Sequence, residues 1–120
     1  MSFIIVKMVD CIVPRGGYKT IRLQVEDDLG ENYDLTDHTA KLYLSRELGV
    51  EDPLLEKEGS IFSVEKGTVE FDFEPEDTEQ LMLRSYDMEV IVTDSNSKEF
   101  WPAFIGNLAV EGSTGGAESE

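Results

Sequence analysis

The stretch Tyr33–Ser45, YDLTDHTAKLYLS, changes character half-way along. Its first half crowds Asp34, Thr36, Asp37 and His38, the only histidine of the chain, around a single leucine. Its second half alternates, with Ala40, Leu42 and Leu44 set against Lys41, Tyr43 and Ser45. A period of two is the mark of a strand with one buried face. The polar half reads in two ways: as a metal or acid–base cluster, or as a corner whose short side chains bond nearby backbone and release the strand.

The same alternation recurs outward in both directions. Upstream, Ile21, Leu23 and Val25 alternate with Arg22, Gln24 and Glu26, after the breaker PRGGY at 14–18. Downstream, TVEFDFE sets Val69, Phe71 and Phe73 against Thr68, Glu70 and Asp72. SYDMEVIVTD sets Tyr86, Met88, Val90 and Val92 on one face. Residues 3–9 (FIIVKMV) are apolar and β-branched enough for a first strand. SIFSVEKG suggests a short one, and LLEKEG reads as either a short strand or part of a long, irregular connection. DSNSK at 94–98 has the residues of a hairpin loop. The return stretch EFWPAFIGNLAV contains Pro102 and Gly106, which predicts an edge strand or one bulged near the proline. Pro75 opens a short helical turn near 75–82, read as a corner crossing between sheets.

About seven strands with frequent turn signals and no helix of core length predict an all-β, antiparallel β-sandwich. The 120 residues suit one core, expected over 1–111, with a disordered tail at 112–120 where the chain turns to EGSTGGAESE. Hydrophobic residues at 40% and charged ones at 30% fit a globular protein. With 26 acidic and 10 basic residues the net charge is −16, a surface that repels phosphate backbones and anionic membranes. No nucleic-acid or membrane partner is expected. The opening residues lack a basic start and a long apolar run, so synthesis in a cytoplasm is expected.

Chemistry is sparse. One histidine and no G-x-S-x-G elbow leave no serine triad, and a Cys11–His38 pair requires a strand thiol to meet a loop imidazole. Cys11, alone, forms no internal disulfide and reads as a buried, inert thiol rather than a reactive one. One Cys and one His serve zinc poorly. The acidic loop at 26–34, with Glu26, Asp27, Asp28, Asn32 and Asp34, lacks the calcium-loop register and reads as solvated, an irregular calcium site being the alternative. No catalytic residue, metal or cofactor is assigned. Trp101 is the candidate partner contact, either as an exposed platform or as a ring closing the end of the core.

The order of motifs resembles the N-terminal domain of phage baseplate upper proteins and related tail-associated proteins. The shared features here are Asp34-Leu35-Thr36 before the strand with Ala40, Leu42 and Leu44, then Gly67-Thr68-Val69 and Asp77-Thr78 with Leu81. Tyr86-Asp87-Met88-Glu89-Val90 and a closing GNLAVE complete the likeness, over roughly residues 18–111. The chain departs from that pattern with Asp37 and Ser85 where glycine is usual. The resemblance implies an immunoglobulin-like sandwich and a non-enzymatic structural or assembly protein of a bacteriophage or prophage particle, in its tail, baseplate or neck. It implies other phage subunits as partners, a homo-oligomer or ring in the particle, and a place in the virion after synthesis in the bacterial host. Asp34, Leu35, Thr36 and Asp37 are then a structural corner. The alternative is a small carbohydrate- or protein-binding module for host-surface attachment.

Overall fold

The computed structural model describes residues 4–46 and 53–112. Eight strands and one helical turn follow in the order β1 (Lys7–Pro14), β2 (Lys19–Gln24), β3 (His38–Ser45), β4 (Leu55–Glu58), β5 (Ser60–Ser63), β6 (Thr68–Phe73), α1 (Pro75–Thr78), β7 (Arg84–Asp94) and β8 (Phe100–Glu111). They form two sheets, β1-β8-β7-β3-β4 and β2-β6-β5. The all-β sandwich expected from the alternation is what forms. The expected disordered tail falls, apart from Gly112, outside the described residues.

The inward residues are those of the period-two pattern. Ala40, Leu42 and Leu44 of β3, Tyr86, Met88, Val90 and Val92 of β7, and Val69, Phe71 and Phe73 of β6 are all buried. Each large side chain so placed contributes about 1.5–3 kcal/mol relative to exposure. Sheet order and crossings are those of an immunoglobulin-type sandwich, and Tyr86 adds a further hallmark. It sits near the start of β7, 3% exposed, and its hydroxyl donates to the Met82 carbonyl at 2.9 Å, four residues upstream. α1 carries the chain from β6 of one sheet to β7 of the other, as the corner reading expected. Its buried Thr78 accepts a hydrogen bond from the Gly16 amide at 2.9 Å, tying the corner to the β1–β2 turn.

Two readings are corrected and a third is sharpened. The first strand spans Lys7–Pro14 and does not stop at residue 9; ahead of it Ile4 bridges to Asp27 and the Ile5 amide donates to the Glu26 carbonyl at 3.0 Å. β1 pairs parallel with β8, so the sandwich is not wholly antiparallel. And β8 is an edge only where it begins: from Phe104 onward it lies between β1 and β7, while among the described residues Phe100–Ala103 runs beside β7 alone. Pro102 falls on that one-sided part, and the expected bulge is there as well. Pairing steps from Val90↔Phe104 to Ile91↔Pro102, leaving Ala103 as the extra residue. Gly106 makes the β1–β8 pairing possible, since a Cβ there would lie 1.8 Å from the Val9 carbonyl oxygen.

Candidate functional site

Two places stand out, the polar corner ahead of β3 and the seam between β1 and β2.

The corner is built by local bonds. The Asp34 Oδ1 accepts from the Thr36 amide at 2.9 Å and from the Thr36 hydroxyl at 2.6 Å. Leu35 is 1% exposed and anchors the corner in the core, its amide donating to the Val64 carbonyl at 3.2 Å. Asp37 takes a left-handed φ of 58°, which turns the chain into β3. Its carbonyl accepts from the Ser95 amide at 2.8 Å, and its Oδ2 faces the Asn96 amide group at 3.3 Å. The corner is thus stitched to the tip of the β7–β8 hairpin.

His38 closes this end of the core. Its side chain is 8% exposed, and Nδ1 lies 2.7 Å from the Thr36 carbonyl, an acceptor, so Nδ1 carries the hydrogen and donates. Nε2 is buried with no hydrogen-bond partner, 4.0 Å from Asp94 Oδ2. Tyr33 meets the imidazole edge-on with ring centroids 5.6 Å apart, and Trp101 lies on its other side at 6.3 Å. Trp101 pairs with Val92, an inward residue, and is only partly exposed. Its ring belongs to the closing layer of the core rather than to a free platform.

The carboxylates around His38 are engaged with backbone. Asp34 is held below the ordinary carboxyl range, first by the Thr36 hydroxyl, then by the Thr36 amide, with His38 adding a smaller pull. Asp94 is lowered chiefly by the Asn96 amide, then by that of Ser97 and by His38. Burial first, and then the fields of Asp94 and Asp34, push the Tyr33 phenol up. The side chains that crowd the sequence here spend their polar atoms on turn geometry.

The other candidate groups do not converge on this corner. Asp27 Oδ1 accepts from the amides of Leu29 and Glu31, both at 2.9 Å, so the acidic loop folds about its own carboxylate. Among the described residues no three His, Cys, Asp or Glu side chains are placed to hold a metal. Cys11 pairs across from Leu108, whereas His38 packs on Trp101, seven residues earlier on β8 and about 20 Å away at strand rise. They form no dyad. Nor is any helix among the described residues long and apolar enough to cross a membrane.

The seam is the feature that sequence reading missed. On one side of the sandwich, Gly59 alone separates β4 from β5, so the chain itself closes the gap between the sheets. On the other side, β1 and β2 are both edges, joined at one end by the Ile4–Asp27 bridge and the Lys7–Glu26 ion pair. An open groove of about 440 Å³ runs between them. Its walls carry the inward residues Val9, Cys11, Ile21 and Leu23, with Asp10, Lys19 and Arg22 at its rim; Cys11, expected to be buried, is only half-buried. Burial, and then Asp10, raise the Cys11 thiol, and the Lys19 ammonium opposes them. Ile12, at the rim of the groove, is 55% exposed, and Met8 on the same strand is 78% exposed. The signal available in sequence was KMVDCIVP itself, whose weak alternation leaves apolar residues on both faces.

No family model matches the sequence, and no curated protein matches it. Among solved structures, the chain is similar to the N-terminal domain of phage TP901-1 ORF48, with a TM-score of 0.61 over 89% of this chain and 99% of that one. The two share a fold. Their sequences are 8% identical, so the likeness concerns architecture alone.

Proposed function

We propose that this protein is a non-enzymatic structural or assembly component of a bacteriophage or prophage particle, acting through protein–protein contacts in the tail, baseplate or neck. The observation that carries the reading is the fold shared with a phage domain along nearly the whole chain. The motif order at Asp34-Leu35-Thr36, Asp77-Thr78 and Tyr86–Val90, similar to that of baseplate upper proteins, supports it. So does the corner, where the only histidine serves packing. The protein takes its place in the virion beside other phage subunits, as a homo-oligomer or a ring. A net charge of −16 keeps free copies apart until a complementary subunit recruits them.

The test is mass spectrometry of purified particles, with labelled antibody to locate the protein on them by electron microscopy. Peptides of this chain at a fixed ratio to a tail subunit, with label at the tail, are expected. Particles that assemble fully and contain none of it would refute the reading.

A further inference from the structure

We propose that His38 is a proton-operated latch: when its ring takes up a second proton, Nε2–H closes onto the Asp94 carboxylate and fastens the corner ahead of β3 to the β7–β8 hairpin. The inference goes beyond the structural reading above and does not depend on it.

Three observations carry it. First, Nε2 breaks a rule that folded chains rarely break. Buried polar atoms are nearly always hydrogen-bonded. Among the described residues Nε2 has no such partner, in a side chain 8% exposed. Second, the tautomer is fixed. With Nδ1–H spent on the Thr36 carbonyl at 2.7 Å, a neutral ring turns a lone pair toward Asp94 Oδ2 at 4.0 Å, acceptor against acceptor. A second proton makes that lone pair a donor and the opposed pair an ion pair. Third, Asp94 is prepared for the bond. Its Oδ1 accepts from the amides of Asn96 and Ser97 at 2.8 and 3.3 Å, while Oδ2 is the atom that faces the imidazole. A charge-assisted bond needs an approach of about 1 Å, to ~2.8 Å. The exposed tip at Ser95–Glu99 leaves the hairpin free to make it.

The groups around the ring set the balance. Asp94 comes from β7 and Asp34 from the corner. Both are held low first by their own turns, Asp94 by the Asn96 amide and Asp34 by the Thr36 hydroxyl, and further by His38. They therefore keep their charge through the whole interval in which a histidine titrates. Asp37, next to the ring in the chain, turns its Oδ2 to Asn96. Tyr33, raised first by burial, stays a neutral phenol beside the imidazole. From the hairpin tip, Lys98 and Glu99 meet Asp94 through backbone, at 2.8 Å each. β8 contributes the uncharged Trp101. Burial of the ring works against the cation, and the bond to Asp94 offsets it.

His38 and Trp101 are the only residues of their kinds, so the full chain, free of any histidine tag, reports on the latch directly. The imidazole is followed by NMR from about pH 8 to about pH 5, on either side of the ordinary histidine value. Trp101 fluorescence is followed alongside, since its ring lies 6.3 Å from the imidazole and an imidazolium quenches it. At the upper limit the ring should carry its hydrogen on Nδ1 alone. Toward the lower limit Nε2 should gain one that is hydrogen-bonded and slow to exchange, with tryptophan intensity falling in step. Asp94→Asn should move both transitions to lower pH, and His38→Gln should abolish the fluorescence step. Thermal midpoints establish that the variants fold, and the ring signals of the native chain and of Asp94→Asn decide the question if His38→Gln does not. A hydrogen on Nε2 at the upper limit, a ring that does not titrate in this interval, or a transition unmoved in Asp94→Asn would each overturn the latch. The reading of the protein as a particle component would stand in every one of these cases.

Discussion

Asp37 concentrates the physics of the corner. An L-residue at φ 58° carries a steric cost that glycine avoids, and aspartate is among the side chains that tolerate it best. The left-handed φ gives a reason for glycine to suit this position. Asp37→Gly is expected to raise stability by about 0.5–1 kcal/mol and Asp37→Ala to lower it by about the same, in urea denaturation. Equal stability of the Gly and Ala forms would contradict the left-handed corner. The neighbouring carboxyls set the acid limb. Asp34 and Asp94 have folded values below the ordinary range. Such groups contribute stability that is present above their unfolded value, near pH 4, and lost as pH falls through the depressed folded value. The double variant Asp34→Asn, Asp94→Asn should melt lower at pH 7 and lose less between about pH 4 and pH 2. An acid limb superimposable on the native one would show that these bonds add nothing.

At the scale of elements, the strands divide into those written in the sequence and those decided by distant neighbours. β2, β3, β6 and β7 were legible because each has one wet and one buried face, so Ile21, Phe71 or Val90 announce their direction. β1 and β8 were not. The run FIIVKMV looks like the strand, but pairing with β8 starts only at Lys7↔Phe104, and a parallel partner a hundred residues away leaves no local mark. Pro102 argued for an edge because a central strand needs its amide; β1 reaches only as far as Phe104, so Pro102 pairs with β7 alone, beside the bulge at Ala103. Gly106 marks the same junction from the other side. Gly106→Ala would drive a Cβ into the Val9 carbonyl, and β1 must move. A loss of about 2 kcal/mol or more is expected, with faster amide exchange in β1 and unchanged exchange between β2 and β6. Uniform acceleration through both sheets would argue against a local role.

Across the whole molecule, fold class and corner could be read from residues, whereas the groove could not. The corner declares itself because Asp34 and Thr36 act on their immediate neighbours. The groove exists because the edges of two different sheets face each other with no strand between them among the described residues, a property of topology and of no residue alone. Trp101 was ambiguous for a related reason. Its position beside Pro102 leaves its facing open until the bulge fixes Trp101 opposite the inward Val92.

The parallel pairing of β1 with β8 has a mechanical consequence. The chain enters β1 at Lys7 and leaves β8 at Glu111, at opposite ends of one run of eight aligned residue pairs. Tension transmitted along the chain into these two strands pulls them lengthwise past each other. Their hydrogen bonds are then strained together in shear, where an antiparallel terminal hairpin would unzip one bond at a time. The core stays closed until the whole run gives way.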